Sequence, residues 1–221
     1  MGGVYNSINI NVYCYGGLNP VKFVDPDGKI IGYPWVSLID VKRQKANSTD
    51  NSSQLTYSRV RQNDSSLNPA GDSACRYRSL QSIAESYIGQ NLTSEQINEA
   101  TKSLIESGAI RLDYYVNDPV AVIKDALNRL GADVSKIDIS VIRKQDVSES
   151  VYNKLLKNAT ATLRGVPNYE QMNNGQMGEV GHWQHGDASG GFIWDPWNGT
   201  SSGSDRPINR LDIVIINRKE E

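Results

Sequence analysis

The 221-residue chain is long enough for one domain and an appendage, with 38% hydrophobic and 22% charged residues. A mean hydropathy of −0.50 puts a sizeable part of it outside any core. Lys+Arg 23 against Asp+Glu 25 leaves a net charge of −2, so no basic surplus favours nucleic acid. Two distant cysteines exclude a disulfide framework, and no CxxC pair suggests zinc. No apolar run of roughly 18 residues exists, so no membrane span is expected. The first residues lack the basic-then-apolar layout of a signal peptide.

In chain order, residues 1–34 come first and are rich in Gly, Asn, Tyr and Pro. Within them INVYCYGGLNPVKFVDPDGK (10–29) reads as two short strands broken by an Asn-Pro turn and an Asp-Pro-Asp-Gly turn. Tyr13, Tyr15, Asn19, Pro20, Asp25, Pro26 and Gly28 carry the pattern. In order and spacing it resembles the closing segment of the Rhs (YD-repeat) associated core. That resemblance implies a remnant hairpin of the core followed by a variable C-terminal effector, commonly a toxin. The chain would then be delivered or secreted as part of an Rhs-type protein, with an immunity protein as a partner.

Residues 35–70 are expected to be a polar linker. Between 44 and 68, fifteen of twenty-five residues are Ser, Thr, Asn or Gln, too polar to offset the entropy of ordering. The periodic part is 71–221. Residues 75–89 put Leu80, Ile83, Ala84, Tyr87 and Ile88 on one helical face, with Gly89 as a stop. Thr93 and Gln96 form a capping-box pattern opening a second helix. Asp118 and Pro119 launch a third, ended by Gly131. A weaker helix is expected at 148–157. Short β-type runs follow at 137–142, 159–164, around 180–185, 191–194 and 211–216. Helices first and strands second, without βαβ alternation, predict an α+β domain.

Cys75 opens the first helix, where free N–H groups and the dipole favour a thiolate. His182 and His185 are the only histidines, so any Cys–His pair must use one of them. Residues 181–197 read as a β-hairpin. With Ala188 and Ser189 at a two-residue tip, opposed residue numbers sum to 377 and His182 faces Asp195, Cβ atoms roughly 5 Å apart. A carboxylate there would orient the imidazole. His185 falls on the other face with Trp183, Phe192 and Trp194, as a packing residue. The cluster Trp183, Trp194 and Trp197 reads as core. Residues three apart on a strand point oppositely, so His182, His185 and Asp187 make a poor metal site, and no cofactor is expected.

A helix-opening Cys75, then Gly181, His182 and Trp183, then Asp195 and Pro196, resembles papain-like cysteine peptidases. The bacteriocin-processing (double-glycine) peptidases are the nearest in pattern. The resemblance implies a papain-like fold in which the nucleophile helix packs on an antiparallel sheet. It implies Cys75 as nucleophile, His182 as base and Asp195 as orienter, acting on a protein or peptide substrate. The family's oxyanion Gln stands six residues before the nucleophile, where this chain has Pro69. That role is vacant or passes to Asn68 or Gln62, alongside the Cys75 N–H. Arg76 replaces the usual Gly. Papain uses an amide as orienter, so Asp195→Asn is expected to lower activity without abolishing it.

The expected function is an Rhs-type effector with thiol-dependent acyl-transfer activity, as a peptidase, isopeptidase, deamidase or transglutaminase. A catalytically silent papain-like binding module is one rival. An Rhs-type nuclease toxin is the other, weakened by the absence of a His-Asn-His or basic cluster.

Overall fold

The computed structural model describes residues 58–67, 71, 73–200 and 206–219. The hairpin expected at 10–29 and the linker as far as residue 57 lie outside the described residues.

Helix α1 (Cys75–Ile88) is the centre of the domain. Its apolar residues Leu80, Ile83 and Ala84 are buried as the periodicity predicts, and Gly89 closes it at φ 82°. Its polar face is buried too, which an amphipathic pattern does not announce. Segment 58–67 covers that face, although the composition of 35–70 predicts a linker there. Arg59 lies 3.0 Å from Glu85, and Arg78 lies 3.3 Å from the same carboxylate. Arg78 also donates to the Val60 carbonyl at 2.8 Å and to Gln81 at 2.6 Å. Glu85 accepts from the Leu92 N–H at 3.1 Å. Both guanidinium groups sit 5.7 Å from the ring centre of Trp194. Paired and hydrogen-bonded charge therefore packs where composition alone suggests solvent. Desolvation lowers the Arg59 pKa to about 10 against the opposing pull of Glu85.

Helix α2 (Ser94–Glu106) opens on the Thr93–Gln96 capping box, with reciprocal bonds of 2.9 and 3.2 Å. Helix α3 (Pro119–Arg129) is capped by Asp118, which accepts from Ala121 N–H at 2.9 Å. The three helices cover one face of a sheet. Its strands are β1 (Ile137–Arg143), β2 (Ala161–Val166), β3 (His182–Gly186), β4 (Phe192–Trp194) and β5 (Arg210–Arg218). They are antiparallel, in the order β1-β5-β2-β3-β4. Helix α4 (Glu149–Leu156) covers the opposite face.

Alternation along β5 explains both cores. Val214 and Ile216 point to the three helices, whereas Ile213 and Ile215 pack with Tyr152 and Leu155 of α4. β2 lies between β5 and β3 and is buried along its whole length. A short helix the periodicity does not predict, α5 (Tyr169–Asn173), opens on an Asn168–Gln171 capping box. The class is α+β, as the order of elements predicts. Among the described residues, no helix is long and apolar enough to cross a membrane.

Candidate active site

The first residue of α1 meets the first residue of β3. α1 and β3 are held together by Ser79, which donates to the Trp183 carbonyl at 3.2 Å, and by Ser82, 3.1 Å from His185 Nδ1. These contacts bring Cys75 and His182 to one end of the helix–sheet interface. The Cys75 side chain is hydrogen-bonded to His182. His182 Nε2 lies 2.9 Å from Asp195 Oδ1. The second ring nitrogen, Nδ1, is therefore the one left for the thiol. Cys75 is 9% exposed and Asp195 0%.

The hairpin reaches this contact by a different register from the one expected. Its turn is not a two-residue tip. Asp187 N–H donates to the Gly191 carbonyl, and Asp187 Oδ1 accepts from the N–H groups of Ser189 and Gly191 at 2.7 and 2.8 Å. Gly190 sits at φ 91°, in the region that favours glycine. A bulge then follows, so that Gly186 pairs with Phe192 but His185 pairs with Trp194. Continuing that register sets Asp195 beside Gln184 and diagonal to His182. Residues 182 and 184 share a face, so the His182–Asp195 contact survives a two-residue slip. Phe192 does not: it stands opposite Gly186, on the Gln184 side, and Arg164 lies 5.5 Å from its ring. The aromatic cluster is also less uniform than expected. Trp194 is fully buried, Trp183 partly buried, and Trp197 is 39% exposed.

Asp195 is the most heavily bonded group in the site. Oδ1 accepts from His182, from Trp197 N–H at 2.8 Å and from Asn198 N–H at 3.2 Å. Oδ2 accepts from Gln184 Nε2 at 2.8 Å and from Arg206 Nη2 at 2.9 Å. Burial alone would raise its pKa, but the His182 hydrogen bond and charge, with Gln184 and Trp197, hold it below the usual carboxylate value. Sequence reasoning misses both Gln184 and Arg206. Gln184 is findable, being two residues from His182 on the same strand face. Arg206 has no local signal, since only the fold brings it to Asp195.

Of the two oxyanion candidates, Asn68 lies outside the described residues. Gln62 is fully buried, and its N–H donates to the Pro196 carbonyl at 2.9 Å. That bond fixes it one residue from Asp195 in the chain. With Gly71 and Ala74 it lines a small pocket beside the start of α1.

The histidines titrate in opposite senses. Burial lowers the His182 pKa, but hydrogen bonds and charges of Asp195 and Cys75 outweigh it and raise it to about 9. Burial and the Arg59 charge push His185 well below 6.5. The His182 contribution to stability is complete below pH 6.5, where folded and unfolded states are both protonated. It is lost as pH rises through about 9. His185 is neutral when folded and charged when unfolded below 6.5, so its effect lowers stability as pH falls from there. Urea midpoints across pH 5–9 should therefore peak near 6.5. His182→Asn should flatten the alkaline limb by on the order of 2–3 kcal/mol, and His185→Asn should flatten the acid limb. Parallel curves for wild type and both variants would contradict these assignments.

Comparison with protein-family models, with curated proteins and with solved structures finds no match to this chain.

Proposed function

We propose that this domain is a papain-like thiol enzyme catalysing acyl transfer, in the first instance a cysteine peptidase, carried as the C-terminal effector of an Rhs-type protein. The observation that carries the reading is the unbroken chain Cys75–His182–Asp195, with the imidazole held between sulfur and carboxylate. A His182 pKa of about 9 keeps the ring protonated at neutral pH, so it can donate to the sulfur and later to the leaving amine. Cys75 Sγ would attack the substrate carbonyl carbon, forming an S–C bond as the carbonyl π pair moves to oxygen. The imidazolium would then give its proton to the leaving amine as the C–N bond breaks. Water, deprotonated by the now neutral ring, would release the acyl group and restore the thiol. The Cys75 N–H heads a 14-residue helix and is suited to receive the oxyanion, with Gln62 as the candidate second donor.

The Rhs part of the proposal rests on Tyr13, Tyr15, Asn19, Pro20, Asp25, Pro26 and Gly28. One observation favours a silent binding module instead, namely that the thiol is only 9% exposed. Expression of the chain in a sensitive bacterial host separates the two readings. Wild type is expected to arrest growth and to hydrolyse protein substrates in a thiol-dependent way, and Cys75→Ala to do neither while still folding. Equal behaviour of wild type and Cys75→Ala would overturn the catalytic reading.

A further inference from the structure

Arg76 follows Cys75 on α1, and Trp183 follows His182 on β3. The Arg76 guanidinium lies 4.9 Å from the centre of the Trp183 ring, and that of Arg210 lies 5.1 Å from it. Both converge on Asp212, which is fully buried. Arg210 reaches its two oxygens at 2.8 and 3.1 Å, and Arg76 Nη2 reaches Oδ2 at 3.3 Å. Gly165 is the ladder partner of both Trp183 and Arg210, so no side chain on β2 separates them. A Cβ at Gly165 would lie 3.1 Å from the Cβ of Arg210.

Charge in this cluster does not balance. Arg143 is the ladder partner of Asp212, and its charge acts on Arg76 together with that of Arg210. Arg143 has a second carboxylate, Asp146, at 3.5 Å, but Arg76 and Arg210 share Asp212. The Arg76 and Arg210 side chains keep 13% and 28% of their surface exposed. Arg76 Nε is buried without a hydrogen-bond partner. Two guanidinium groups stacked on one indole and sharing one buried carboxylate, each still partly exposed, are preorganised for another anion.

We infer that Arg76 and Arg210, held over Trp183 by Asp212, form a subsite for a carboxylate next to the carbonyl that Cys75 attacks, so that the substrate is an acidic peptide segment. The inference rests on the reading of Cys75 as nucleophile. Burial of the thiol near such a site favours substrates that bring their own negative charge to the excess cation.

Alkylation of Cys75 in the full chain, followed by mass spectrometry, tests this with iodoacetate as the anionic probe and iodoacetamide as the neutral one. The ratio of the two rates is expected to fall roughly tenfold in Arg210→Gln and in Arg76→Gln, and in wild type at high salt. It should be unchanged in Arg111→Gln, an exposed control. A Glu-containing peptide should protect Cys75 from iodoacetamide better than its Gln counterpart, and Arg210→Gln should erase the difference. Should Arg76→Gln fail to fold, the Arg210→Gln ratio and the peptide pair decide alone. Unchanged ratios and equal protection overturn the subsite, and leave the nucleophile reading standing if iodoacetamide alkylation still depends on His182. Loss of that dependence overturns the nucleophile reading instead.

Discussion

Asp195→Asn is expected to remove on the order of 3 kcal/mol of stability and most of the thiol-dependent activity. The papain-like resemblance leads to the milder expectation, since an amide can orient an imidazole. The bonding around Asp195 reverses it. One carboxylate oxygen serves His182 and two N–H groups, and the other serves Gln184 and Arg206. All five partners are donors. An asparagine has only one acceptor oxygen, so in either orientation its NH₂ confronts a donor set. If the oxygen faces His182, Arg206 is left as a buried cation, with its side chain 2% exposed. If it faces Arg206, the ring loses its orienter. Urea denaturation and hydrolysis assays check both losses. The double variant Asp195→Asn/Arg206→Gln should recover part of the stability, because the uncompensated charge is gone. An Asp195→Asn protein within about 0.5 kcal/mol of wild type would show that Arg206 does not depend on the carboxylate.

The two histidines should separate cleanly on substitution. His182→Ala removes the group bonded to both Cys75 and Asp195, and activity should fall roughly 10²- to 10⁴-fold. His185→Ala removes a neutral, fully buried ring bonded to Ser82 of α1. Its cost should be stability, on the order of 1–3 kcal/mol from lost packing and bonding, with activity per folded molecule retained. The strand alternation that puts residues 182 and 185 on opposite faces is the reason for the split.

That alternation was also what made the pair legible in the amino-acid sequence. Period 2 fixes which face a side chain takes even when the register slips, so His182 and Asp195 could be matched through a wrongly placed turn. Helix starts were legible for a local reason as well: Thr93, Asp118 and Ser148 each cap with their own side chains. What stayed hidden was long-range. Segment 58–67 reads as linker because its composition is polar, yet Arg59 is buried against Glu85 of α1 and Gln62 is buried with its N–H on the Pro196 carbonyl. Arg206 and Asp212 likewise acquire meaning only from the neighbours the sheet gives them. Hydrophobic periodicity reports buried apolar faces, and it is blind to a helix whose polar side is buried through ion pairs and hydrogen bonds.

The rate of Cys75 alkylation by iodoacetamide between pH 5 and 10, in wild type, His182→Ala and His185→Ala, tests the central claim most directly, with Cys14 as the internal reference thiol. Wild-type Cys75 is expected to react much faster than Cys14 at pH 6–7, an advantage lost in His182→Ala but kept in His185→Ala. The advantage should fade as pH rises through about 9, where His182 gives up its proton. Identical profiles for wild type and His182→Ala would show that Cys75 and His182 do not act as a pair.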